Sequence, residues 1–260
     1  MKQFLRIYGT CIKTSLSRAA AYRMNFLLSV TITLLGNVLF PIVTILIYQG
    51  GASFPGWTFY EVLLMQAIYT LSNGLTSMVF ESILWVTMDH IRNGNFEIIL
   101  LKPVRPLEYL IGTNFAFENV GMVVGGTLLY VIAIRHVEKV SITMFLCSGL
   151  LFMAGILVMV GFQLIMAATS FKWVGNSRIP EIFNSIKTFG QYPMTIFPMS
   201  IRTLATFLIP VGMVGFYPAA ALLGRLSFYH WFAILPCILF LLFGIWIYHV
   251  MIKSYEGVGG

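Results

Sequence analysis

Residues 140–171 read VSITMFLCSGLLFMAGILVMVGFQLIMAATSF and contain no Asp, Glu, Lys or Arg. A helix needs about 20 mostly apolar residues to cross the hydrocarbon of a bilayer. This run exceeds one crossing, and the rest of the chain is organised around it. Upstream, residues 26–48 are uncharged behind Arg23 and form a first span. That run is too long, and starts too late, for a cleaved leader, and no small-residue cleavage site follows it. Pro41 lies inside it and leaves the carbonyl of Asn37 without its helical donor, which predicts a kink. Residues 62–80 are uncharged and the pattern continues to Trp85, a second span. A third is uncharged only over 119–134 and is extended back to about Leu110, taking in Glu118.

Downstream, residues 188–201 and 203–224 are uncharged but divided by Arg202. Pro193, Pro198, Pro210 and Pro218 punctuate them, so this fifth region reads as a broken span with a short re-entrant or interfacial helix. Broken backbone at membrane depth is tolerated where protein or a wet cavity covers it. A last span lies within 226–252. The expectation is an all-α polytopic membrane protein of six transmembrane helices, with residues 1–260 as a single domain.

Composition agrees. Of 260 residues, 58% are hydrophobic and 10% charged, against about 45–50% and about 25% in soluble domains. The mean hydropathy is +0.88. A soluble enzyme, a secreted disulfide scaffold and a disordered chain are excluded. The formal charge of +7 reads as basic loops holding an inner leaflet. No basic run interleaved with aromatics points to nucleic acid. Cys11, Cys147 and Cys237 are scattered, as are His90, His136, His230 and His249, so neither a disulfide framework nor a metal site is expected.

Basic residues orient the chain. With the N-terminus inside, Lys2, Arg6, Lys13, Arg18, Arg23, Arg92, Lys102, Arg105, Lys172, Arg178, Lys187 and Lys253 fall on the inner side. Arg135, Lys139 and Arg225 fall outside, and Arg202 is unassigned. Both termini are expected to be cytoplasmic. Within residues 1–25, Phe4, Ile7, Tyr8, Cys11, Ile12 and Leu16 recur at helical spacing among basic residues. They form an interfacial amphipathic helix, or more plainly a topology signal.

The loop 86–108 contains Asp89-His90-Ile91-Arg92-Asn93-Gly94-Asn95-Phe96-Glu97-Ile98-Ile99-Leu100-Leu101-Lys102-Pro103. Gly94 breaks the chain, Asn95 reads as a helix cap, Phe96 to Leu101 form a short apolar turn, and Pro103 stops it. So much apolar surface outside the membrane calls for a partner or for packing on the protein's own inner surface. Glu81 and Glu118 lie in or beside the membrane, where an uncompensated charge is costly. They are either a negative pathway lining or structural partners of a neighbouring base. Gly121-x-x-x-Gly125 allows close helix approach. No phosphate-binding loop, nucleophile elbow or zinc-protease helix occurs, and no catalytic residues are expected.

Several runs taken together resemble a known family: Tyr22-Arg23-x-Asn25-Phe26, Gly56-Trp57-Thr58-x-x-Glu61, Ile91-x-x-Gly94-x-x-Glu97-x-x-Leu100-Leu101-x-Pro103, Tyr192-Pro193, Leu208-Ile209-Pro210, Tyr217-Pro218-Ala219 and Ser254-Tyr255. In order and spacing the chain resembles a bacterial ABC type-2 exporter permease, in the branch that includes viologen-exporter-like permeases. The resemblance implies a subunit of the cytoplasmic (plasma) membrane that acts in a pair, often with a different permease chain. The pair would be driven by two ABC ATPase subunits that carry the ATP and Mg, with no cofactor on this chain. It implies a coupling helix contacting the ATPase through Asp89, Arg92, Asn93, Gly94, Phe96, Glu97, Leu100 and Lys102. It also implies an extracellular gate over 192–219 with Tyr192, Pro193, Pro210, Tyr217 and Pro218. The competing expectation is an ion- or proton-coupled secondary transporter using Glu81 and Glu118.

Overall fold

A computed structural model describes residues 2–37, 39–113, 115–137, 140–173, 178–226 and 228–255, without the side chains of 2–7, 18 and 228–230. The expectations placed on the side chains of Lys2, Phe4, Arg6, Ile7, Arg18 and Lys139 fall outside that description.

Helix α1 (Lys2–Ala21) joins α2 (Arg23–Gly36) at Tyr22. After a break at Asn37 the first crossing continues as α3 (Leu39–Gln49). The break falls one turn before Pro41, where a missing N–H frees a carbonyl. Helix α4 (Phe59–Arg92) starts in a capping box: the Glu61 N–H donates to the Thr58 hydroxyl and the Thr58 N–H donates to the Glu61 carboxylate. It ends in a Schellman turn. The Gly94 N–H donates to the Ile91 carbonyl at 3.1 Å and the Asn95 N–H to the His90 carbonyl at 2.9 Å, with Gly94 at φ +66°. At about 1.5 Å per residue its 34 residues span about 51 Å. A bilayer core is about 30 Å thick, so α4 projects beyond it.

Helices α5 (Glu97–Leu100) and α6 (Pro106–Thr113) follow, then α7 (Val120–Ile134). The third crossing begins at Phe117 rather than near Leu110. The chain turns inward where the Ala116 N–H donates to the Met78 carbonyl at 3.0 Å, which leaves α6 a separate helix and puts Glu118 at the mouth of the crossing. Helix α8 (Ile142–Ser170) is formed by the uncharged run 140–171. Next come α9 (Arg178–Thr188), α10 (Met199–Thr203), α11 (Phe216–Leu222) and α12 (Ile234–Met251).

Helices α4 and α8 form the buried centre, and α11 packs on both. Helix α7 lies on α4, α2 on α7, and α12 on α8. Glycines set these separations. A methyl on Gly126 would come within 3.0 Å of Leu71, and one on Gly161 within 2.7 Å of Phe240. Gly121 and Gly125 both face α2. Helix α12 runs parallel to α8, since Gly161 meets Phe240 while Phe171 meets Tyr248 at 5.5 Å. The chain between them must therefore recross the slab.

It does so in pieces. Helix α9 leads from the end where α4 and α8 finish to Gly190, which abuts Tyr69. The chain then makes an excursion at the opposite end, with Tyr192 6.1 Å from Phe54 and Trp57 donating to Thr195 at 2.8 Å. It returns at Val211 beside Gly190 and climbs through α11 to Arg225. Among the described residues five helices are long and apolar enough to span, and there is no strand. The broken segment supplies a sixth crossing.

Candidate functional site

The projecting end of α4 carries the first group of residues. Phe96 is fully buried and packs edge-on against Phe171 at 5.0 Å and Tyr255 at 5.3 Å. Ile99 is buried beside it. These two residues fix α5 to the ends of α8 and of the chain. The remaining apolar side chains face outward: Ile98 and Leu100 are exposed and Leu101 is 84% exposed. Packing on the protein's own surface thus describes Phe96 and Ile99, while Ile98, Leu100 and Leu101 are presented outward. Asn95 is not the cap of α5. Phe96 occupies that position, and Asn95 Oδ1 pairs with His90 Nδ1 at 2.7 Å. Asp89, Arg92, Asn93 and Glu97 are exposed around this ledge. Lys102 is also exposed and lies over the Tyr109 ring at 5.8 Å.

The two membrane acids come together. Glu81 and Glu118 line one cavity of about 430 Å³ with Trp85, Phe115 and Asn119. The Glu81 carboxylate accepts from Trp85 Nε1 at 3.0 Å and from Asn119 Nδ2. Among the described residues neither acid has a basic partner within ion-pair distance. Neutral donors, rather than a neighbouring Arg or Lys, satisfy Glu81.

On its other side Glu81 borders a second cavity, of about 290 Å³, shared with Asn73, Ser77, Gln163, Asn184 and Lys187. Lys187, read from the sequence as an inner-side base, is 6% exposed, on α9, facing α4 and α8. Asn73 lies about 21 Å along α4 from Phe59, well inside a bilayer core. The available signal was the spacing of Phe183, Ile186 and Lys187, which puts all three on one helical face. The opposite face of α9 exposes Glu181 and Ser185, and Asn184, beside Lys187, is exposed at the edge of the cavity.

At the other end Arg225 closes a clasp. It pairs with Glu61, donates to the Gly56 carbonyl at 2.8 Å and lies over the Trp57 ring at 4.5 Å. Gly56 takes φ +77° to make this turn. Arg202, which the sequence left unassigned, belongs to this end and shares a cavity of about 370 Å³ with Trp57, Tyr217 and Arg225. Tyr217 is buried and its hydroxyl pairs with that of Thr206 at 2.7 Å. Pro193, Pro210 and Pro218 are also buried, and Tyr192 is half-buried between Phe40 and Phe54. Gly215 lets this hairpin touch α4: a methyl there would stand 2.5 Å from the Gly190 carbonyl and 2.9 Å from that of Met65.

A broken fifth crossing, a polar cavity between helices and an apolar ledge beyond the end of α4 are set into a multi-pass helical membrane protein. The sequence matches the family of ABC-2 family transporter proteins over residues 32–259, and the chain belongs to that family. It is a multi-pass membrane permease of an ABC transporter, a transport subunit whose family implies an ABC ATPase partner. This displaces the ion-coupled secondary transporter. No curated protein matches the sequence.

Proposed function

We propose that this chain is one permease half of an ATP-driven exporter in a bacterial cytoplasmic membrane, single-domain over residues 1–260, with both termini cytoplasmic. Loop 86–108 is its coupling element. Asp89, Arg92, Asn93, Glu97, Leu100 and Lys102 meet the ATPase, while Gly94 and Phe96 hold the ledge in place. The observation that carries this reading is the ledge itself, with Ile98, Leu100 and Leu101 exposed beyond the end of a helix too long for the bilayer. Apolar surface presented there, on a rigid mount of Phe96 and Ile99, suits a protein partner. ATP and Mg reside on that partner, which pulls α4 through its projecting end. A second permease chain, different from this one, completes the path, with Glu81 and Glu118 lining this half. The hairpin 192–219, with Tyr192, Pro193, Pro210, Tyr217 and Pro218, gates the exit.

The test is affinity purification of the tagged chain from its native membrane. The wild-type chain brings down an ATPase, and Leu101→Asp or Glu97→Lys reduces the recovered ATPase about tenfold while the chain stays inserted. Undiminished recovery with both variants removes loop 86–108 as the docking element.

A further inference from the structure

We propose that the cavity between α4, α7, α8 and α9 is a subsite for a zwitterionic group, seating its anionic oxygen on Lys187 and its hydrogen-bond donor on Gln163 Oε1. The proposal rests on the permease reading above and names the chemistry that reading leaves open.

Lys187 is 6% exposed and Gln163 4% exposed, and both line the cavity of about 290 Å³. Among the described residues the Lys187 ammonium has no hydrogen bond and no carboxylate within 4.0 Å. Gln163 Oε1 is buried with no partner. An ammonium removed from water needs compensation, and so does a buried amide oxygen. A structural ion pair would have placed Lys187 against Glu81. Instead Glu81 sits at electrostatic range from Lys187, its oxygens taking Trp85 and Asn119. The cavity thus offers a spare cationic donor, a spare acceptor and a carboxylate a little further off.

That pattern selects among ligands. A simple anion gains Lys187 but meets Glu81, and a simple cation gains Glu81 but meets Lys187. A group carrying both charges is complementary to the whole set. The volume falls just below the usual range for small-molecule sites, about 300–1,000 Å³, so it suits a head group or a small solute rather than an acyl chain. Asn184 is exposed and also lines the cavity, which gives the ligand a polar way in from the exposed face of α9.

The experiment uses the complete transporter in nanodiscs of phosphatidylglycerol, a lipid without an ammonium. Asn184→Cys is introduced after Cys11, Cys147 and Cys237 are changed to Ser, and its reaction with a charged methanethiosulfonate is timed. Lysophosphatidylethanolamine is expected to slow the reaction at least fivefold. Lysophosphatidic acid and dodecyltrimethylammonium, which carry one charge sign each, are expected to leave it within twofold. Protection should vanish in Lys187→Met and weaken in Gln163→Leu, and persist in Lys187→Arg. Glycerophosphoethanolamine has the same head without a chain. Protection by it as well identifies a soluble zwitterion, and protection by the lyso-lipid alone identifies a lipid head group, both upholding the shared chemistry. Equal protection by all amphiphiles, protection by none, or protection that survives Lys187→Met overturns the subsite. Recovery of the ATPase with each variant is measured in parallel. Where the ATPase is recovered and protection ignores Lys187, the subsite alone falls. Where no ATPase is ever recovered but protection follows Lys187, the permease reading falls and the subsite stands.

Discussion

Helices α9 and α12 flank the same hairpin and both pack on α8, yet their surfaces are opposite. Helix α12 buries a narrow stripe of Cys237, Gly244 and Tyr248 and exposes Leu235, Ile238, Leu239, Leu242, Phe243 and Trp246. Helix α9 buries a lysine and exposes Glu181, Asn184 and Ser185 around a single exposed apolar residue, Ile182. The outer face of α12 is solvated by acyl chains, which demand no polar groups. The outer face of α9 would be stranded in lipid, so it faces water or a second polypeptide. The difference sets apart a polar side of the molecule, that of α9, Glu81 and Lys187, away from α12, and it is the side on which the proposed path would run.

The sharpest way to break this contrast is to place the same charge on both faces. Leu239→Arg puts a guanidinium into lipid near the centre of α12, at a cost of about 2.5–3.5 kcal/mol. With tenfold per 1.4 kcal/mol, the insertion equilibrium constant of that span should fall roughly 100-fold. Asn184→Arg on α9 should change it less than about twofold. Membrane-fraction yield of the two variants decides the matter, and equal losses would refute the assignment of faces. A somewhat smaller effect probes the inner sides. A side chain on Gly244 would press on the Gly161 backbone, where a methyl already stands 3.0 Å from its carbonyl. Gly244→Leu is therefore expected to destabilise by about 1–3 kcal/mol and to lower the apparent melting temperature of the purified protein. Ser185→Leu should leave that temperature within the error of the scan.

Thiol labelling sharpens the contrast without disturbing stability. In a background free of native cysteine, Ser185→Cys should react with a membrane-impermeant maleimide at least tenfold faster than Leu239→Cys. Similar rates would mean that α9 is as dry as α12. The smallest expected change is Glu181→Gln. Its side chain is exposed, so thermal stability should shift by less than about 0.5 kcal/mol. A larger loss would show that the face is already covered within this chain.

Much of the fold could be read from hydropathy because lipid punishes unpaired backbone and charge residue by residue. The uncharged run at 140–171 became α8, and the prolines of the fifth region mark a crossing that is broken in the structure. The interruption before Pro41 was equally local. The start of the third crossing was not, because a backbone bond from Ala116 to Met78 on α4 sets it. Asn95 looked like a helix cap, but an alternative partner, His90, takes its side chain. Of the site, the inner loop and both acids were visible as residues. Their arrangement was not, since Glu81 is held by Asn119 from another helix. The burial of Lys187 was not legible, because a single lysine beside a loop looks the same whether its helix is solvated or packed.

Sequence alone determined that the chain is an all-α membrane protein and where its long apolar helices lie, since these follow from composition and local pattern. Only the tertiary structure decided which charges are buried, which apolar residues of the inner loop are anchors and which are presented, and which helix face is wet. Those properties depend on what each side chain packs against, and for Glu81, Gln163 and Lys187 the neighbours come from helices far apart along the chain.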